Sequence, residues 1–216
     1  MKRNVRNVVR GAVALALAGA VLTGCGEEEA ALSTPASPAK PSQSGATAPA
    51  AKGSAVGAAG SACTLPVAFD LAAKWKAKPV EPEAADSPLA GLSKQGPFTM
   101  ACEMDAKPAG NVGFMRAWTE DAKSGTPRSV LEAFVGANKN ASKATYEEIK
   151  AGSLPATEVV FETYNKLMDE SKQERALAVV TPKGTLVLHL SGLDTQEQTE
   201  MLPAYELAKS SMKATP

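Results

Sequence analysis

From Ala30 to Ser61 the chain is built almost wholly of Ala, Pro, Ser, Gly and Thr, with Lys40, Gln43 and Lys52 scattered through it. Its apolar residues are mostly Ala, which bury too little surface to offset the entropy of ordering the backbone. The composition reads as a disordered linker, and it confines any packed core to residues 62–216, a stretch of common size for one domain. A flexible linker of about 36 residues has an r.m.s. reach of roughly 30–36 Å, so the domain is expected to work at some distance from whatever holds its start.

The start is informative. Lys2, Arg3, Arg6 and Arg10 precede Gly11–Leu22, a run of Ala, Val, Leu and Gly with no acid before it. A basic n-region followed by about 12 apolar residues is a secretory signal, and it is too short to span a bilayer. Thr23 and Gly24 are small, and Cys25 follows. No adjacent Arg pair occurs in the n-region, which favours general secretion over the twin-arginine route.

Leu22-Thr23-Gly24-Cys25 resembles the lipobox of bacterial lipoproteins. The resemblance implies cleavage between Gly24 and Cys25, diacylglycerol on the Cys25 thiol with further acylation such as palmitate, and a mature protein that begins at that residue. It implies attachment to the outer face of the cell membrane. Two or more acyl chains anchor stably where one does not. The expected organisation is a signal peptide over 1–24, a lipidated Cys with its linker over 25–61, and a single globular domain over 62–216.

Charge narrows the function. The whole chain carries 23 basic and 23 acidic residues, and removal of the signal leaves 19 basic against 23 acidic. A net negative domain is a poor match for nucleic acid or for a polybasic membrane contact. Of three cysteines, Cys63 and Cys102 remain once Cys25 is acylated. An even pair in an exported chain reads as a disulfide. The alternatives are a redox pair, which would favour C-x-x-C spacing, and a soft metal site.

Periodicity outlines the domain. Val67–Leu71 alternates as a strand, with Trp75 soon after, and Pro79–Gly96 reads as a loop. Phe98–Asp105 alternates too, which places Phe98, Met100, Cys102 and Met104 on one face and Glu103 and Asp105 on the other. Lys107–Gly110 turns the chain into a return strand over Val112–Glu120. Thr126-Pro127 signals a helix start. Strands are expected at Tyr146–Ala151, Thr157–Asn165, Arg175–Val180 and Thr185–Leu190, and a last helix after Asp194, with Pro203 kinking it or starting a new one. The expected fold is α+β: an antiparallel sheet of about six to seven strands packed by two helices.

Phe69 followed by Trp75, the strand order, the Lys183-Gly184 hairpin and the closing helix together resemble the PsbP-like fold. That fold is shared by an extrinsic photosystem II subunit, a Ran-binding import factor and actinobacterial lipoproteins of the LpqN type. The resemblance implies binding or assembly without catalysis, and it carries over no functional residue.

No chemical constellation stands out. His189 is the only histidine and reads as a hydrogen-bonded sheet residue. Met100, Cys102 and Met104 could be soft copper ligands, but they fall where core residues go. Glu103 and Asp105 could act as acid and base, and a solvated face explains them as well. Trp75, Trp118 and Tyr164 could form an aromatic binding patch. The expectation is therefore no enzyme, no metal and no cofactor: a lipid-anchored domain that binds another envelope macromolecule. The alternatives are a carrier holding a small apolar ligand between sheet and helix on its methionines and, least favoured, an envelope hydrolase.

Overall fold

The computed structural model describes residues 48–81, 87, 90–120 and 125–216. The signal, Gly24, Cys25 and the linker as far as residue 47 lie outside the described residues. Gly45–Pro216 forms one compact unit.

The strands in chain order are β1 (Lys52–Val56), β2 (Val67–Ala72), β3 (Lys76–Pro79), β4 (Lys94–Gln95), β5 (Phe98–Asp105) and β6 (Phe114–Glu120). Helix α1 (Pro127–Gly136) follows, then β7 (Ala141–Ala151), β8 (Leu154–Asn165), β9 (Glu170–Thr181) and β10 (Gly184–Ser191), helix α2 (Thr195–Ser211) and β11 (Lys213–Ala214). The large antiparallel sheet runs β3-β5-β6-β10-β9-β8-β7, with β4 also paired to β5, and a small sheet runs β1-β2-β11. The class is α+β, with more strands than periodicity predicts.

The large sheet is covered on both faces. Leu177, Val179, Leu186, Leu188 and Leu190 meet α2 and the small sheet on one side. Val159, Phe161, Ala176, Ala178 and Val187 meet α1 on the other. The alternation of β10 explains this directly, since its odd and even residues serve opposite cores. Both helices start where their caps predict. Thr126 and Ser129 form a reciprocal capping box on α1, and Asp194 accepts from the Glu197 backbone N–H on α2. Helix α2 runs through Pro203 as a single element.

A buried ionic cluster attaches α2 to the sheet. Glu158 on β8 pairs with Arg175 Nη1 at 2.7 Å and with Lys209 Nζ at 3.2 Å, and it accepts from the Tyr205 hydroxyl at 3.0 Å. Burial, and then the Glu158 carboxylate, push the Tyr205 hydroxyl pKa well above its ordinary value.

Three expectations change. The linker does not extend to Ser61, because Lys52–Val56 is already a strand on β2. Its small residues are what that pairing requires. A Cβ on Gly53 would meet the Ala72 carbonyl oxygen at 2.9 Å, and one on Gly57, at φ +99°, would meet the Val67 carbonyl oxygen at 1.9 Å. Second, the Pro79–Gly96 loop gives up residues at both ends, to β3 and β4, which pair with β5. Third, Phe98, Met100, Cys102 and Met104 do not share a face. A bulge between Met100 and Cys102 inserts an extra residue against Trp118 and Ala117. Phe98 and Met100 therefore join the α1 core, while Cys102 and Met104 join the α2 core.

Candidate functional site

Helix α1 has ten residues and covers only part of its sheet face. The rest of that face is the floor of an open cleft of about 780 Å³, whose lining includes Met100, Arg116, Trp118, Glu174 and His189. Its rim comes from the segment at Gly91–Gln95, from Asn138 and Asn140 after α1, and from Tyr164–Lys166 at the end of β8. Gln95 Nε2 donates to the Phe134 carbonyl at 2.9 Å and so ties the first of these to α1.

The floor is a polar lattice carried on five adjacent strands, β5, β6, β10, β9 and β8. Arg116 Nε lies 2.9 Å from Glu103 Oε2, and its guanidinium sits 4.8 Å from the centroid of the Phe114 ring. His189, opposite Arg116 in register, places Nε2 3.0 Å from Glu174 Oε2. The imidazole is wedged between the edge-packed Phe134 ring at 5.5 Å and the stacked Phe161 ring at 5.9 Å. Glu174 is the hub. Besides His189 it accepts from Ser191 Oγ at 2.9 Å and Thr163 Oγ1 at 3.2 Å, and it pairs with Lys172 Nζ at 3.2 Å. Asn138 Nδ2 donates to Thr163 Oγ1 at 3.2 Å, linking α1's end to the hub. Burial opposes ionisation of Glu174, and the charge and hydrogen bond of His189, then Lys172 and Ser191, outweigh it. The carboxyl pKa is lowered from 4.5 to about 2.

This arrangement is built to hold charge in place. In a nucleophilic triad the imidazole stands between hydroxyl and acid. Here the acid stands between imidazole and hydroxyl, and Ser191 Oγ is committed to Glu174. Glu103 is held by Arg116, and Asp105 Oδ1 accepts from the Lys107 backbone N–H at 2.8 Å. The structure thus separates the sequence-predicted acid pair into two local partnerships.

The remaining candidates disperse. Trp75 and Trp118 are buried in different cores, and Tyr164 is exposed at the rim, so they form no common patch. The Cys63 and Cys102 sulfurs form a disulfide, with Cα atoms 6.0 Å apart. That bond, together with the bulge, dissolves the Met100-Cys102-Met104 ligand set. Among the described residues no group of three His, Cys, Asp or Glu is placed to hold a metal ion, and no helix is long and apolar enough to cross a membrane. Of the methionines expected to line a carrier's cavity, Met104, Met201 and Met212 are fully buried in the core beneath α2, whereas Met100 lies on the α1 side and lines the cleft.

Periodicity missed the Glu174 hub. One signal was available: Lys172, Glu174, Ala176 and Ala178 share a face, so an acid continues a row of core positions.

A family model described as an uncharacterised lipoprotein matches residues 33–212. No curated protein matches the sequence. Among solved structures, the chain is similar to cyanobacterial PsbP from Synechocystis, with 12% identity, 69% of this chain and 86% of that chain covered, and a TM-score of 0.47. It is also similar to LpqN of Mycobacterium tuberculosis, described as involved in cell envelope biogenesis, with 14% identity, coverage of 74% and 88%, and a TM-score of 0.39.

Proposed function

We propose, from the premise that this chain belongs to that uncharacterised lipoprotein family, that it is a non-enzymatic binding protein of the cell envelope. In this reading Cys25 carries the lipid on the outer face of the cell membrane, and the domain engages another envelope macromolecule through the cleft beside α1. The observation that carries the reading is the Glu174 hub. Its charges are paired within the protein at the floor of an open cleft, which favours a rigid recognition surface over a reactive one.

The test is photocrosslinking in intact cells, with a benzophenone amino acid placed at Lys94 or Asn140 on the rim and at Lys183 outside the cleft. Adducts of one reproducible mass are expected from both rim positions and not from Lys183. Rim positions that give no adduct, or the same background as Lys183, would sink the proposal.

A further inference from the structure

The β8–β9 hairpin outruns β10 on one side, while on the other β7 accompanies β8 as far as Thr163. Strand β10 ends at Ser191, which hydrogen-bonds Glu174 on β9, and Glu174 pairs with Phe161 on β8. Beyond that row β8 and β9 stay paired for four more, from Glu162–Gln173 to Asn165–Glu170. Four rows of extended chain project about 13 Å past the end of β10. Lys172 braces the base by donating to Ser191 Oγ and to the Gly192 carbonyl at 2.6 Å. At the tip Leu167 is 97% exposed and Met168 53%. Tyr164, also exposed, donates its hydroxyl to Asp169 across the turn.

Two other loops add apolar side chains at this end. Val112 and Leu193 are exposed, and both backbone N–H groups donate to Glu197 in the first turn of α2. The chain enters the domain here as well. Ala50 and Ala51 line the same surface depression as Asn111, which immediately precedes Val112, and Glu200, one turn after Glu197. Cys25 lies 23 positions before Ala48, the first described residue. A random coil of 23 residues has an r.m.s. reach of about 24–29 Å.

From these placements we propose that the end of the domain where the chain enters rests on the lipid bilayer, with Leu167 and Met168 inserted among the lipids at the outer surface. The inference builds on the lipid-anchored reading above. Two side chains would not hold a free protein on a bilayer, but an anchor makes insertion intramolecular, at high effective concentration. The finger suits that surface, because its two apolar tip residues are flanked by Tyr164, a residue type enriched at membrane interfaces.

The test uses the full-length lipidated protein carrying Leu167→Trp, reconstituted in phosphatidylethanolamine–phosphatidylglycerol vesicles with or without brominated acyl chains. The parent's Trp75 and Trp118 signal, from buried rings, is subtracted. The expected result is an emission shift to shorter wavelength and a loss of intensity on brominated lipid. Lys183→Trp, in the turn at the opposite end of β10, should show neither. Met168→Trp is a second tip variant in case the first perturbs folding, and it should behave as Leu167→Trp does.

Tip emission that brominated lipid leaves unchanged and acrylamide quenches would overturn the proposal. Shielding of the tip only when envelope proteins are added would overturn it in favour of a protein contact. Mass spectrometry of the same sample separates the two readings. A chain without diacylglycerol at Cys25 overturns both, whereas a lipidated chain with a water-exposed tip overturns this one alone.

Discussion

His189 Nε2 lies 3.0 Å from Glu174 Oε2, and the imidazole is packed between Phe134 and Phe161. An acid and an imidazole separated by 15 positions thus meet on neighbouring strands, in a buried setting where neither can be removed cheaply.

Glu174 should give the protein a defined acid sensitivity. Its carboxyl pKa is lowered to about 2 in the fold, so its stabilising contribution is fully present above the unfolded value of 4.5. That contribution is lost as pH falls through about 2, and a shift of this size corresponds to about 3 kcal/mol. Glu174→Gln should cost about 3–5 kcal/mol at pH 7 and flatten the loss between pH 4.5 and 2. Urea titrations of both proteins across pH 2–7 check this. Parallel curves below pH 4.5 would move the acid sensitivity to other carboxylates.

The Tyr205 hydroxyl should contribute to stability beyond the packing of its buried ring. It donates to Glu158 Oε1 at 3.0 Å inside the α2 core. Tyr205→Phe keeps the ring and removes a hydrogen bond to a charged acceptor, a loss of about 1.5–3 kcal/mol. A urea midpoint unchanged from the parent would mean that Arg175 and Lys209 satisfy Glu158 without it.

The Cys63–Cys102 bond closes a separation of 39 residues between the loop before β2 and strand β5. Loop-closure entropy assigns it about 4 kcal/mol. Dithiothreitol should therefore lower the urea midpoint by a corresponding amount, and non-reducing peptide mass spectrometry should show the two cysteines joined. Free thiols at both positions in protein exported by its host would refute the pairing.

Cys25→Ala should leave the exported protein without lipid. Metabolic labelling with an alkyne fatty acid should mark the parent and not the variant, which should partition into the aqueous phase. Continued labelling of the variant would place the lipid elsewhere.

Much of the fold was legible because local chemistry reported it. Thr126-Pro127 and Asp194 mark helix starts, and the alternation of Leu186, Leu188 and Leu190 against Val187 and His189 separates two cores. The site was barely legible. Glu174, Thr163 and Ser191 come from three strands and Asn138 from the turn after α1, and each alone is an ordinary polar residue.

The sequence by itself determined what depends on neighbours along the chain: the caps, the turns and most strand alternations. Tertiary structure decided what depends on neighbours across it. The bulge between Met100 and Cys102 divides one apolar stripe between two cores, a choice set by pairing with Trp118 and Ala117. Lys52–Val56 looks like linker because it is small and polar, yet Gly53 and Gly57 are what the close approach to β2 demands. The Glu174 hub exists only once strands stack in the order β6-β10-β9-β8. Periodicity encodes which way a side chain points, but register and strand order determine which groups then come within hydrogen-bonding distance.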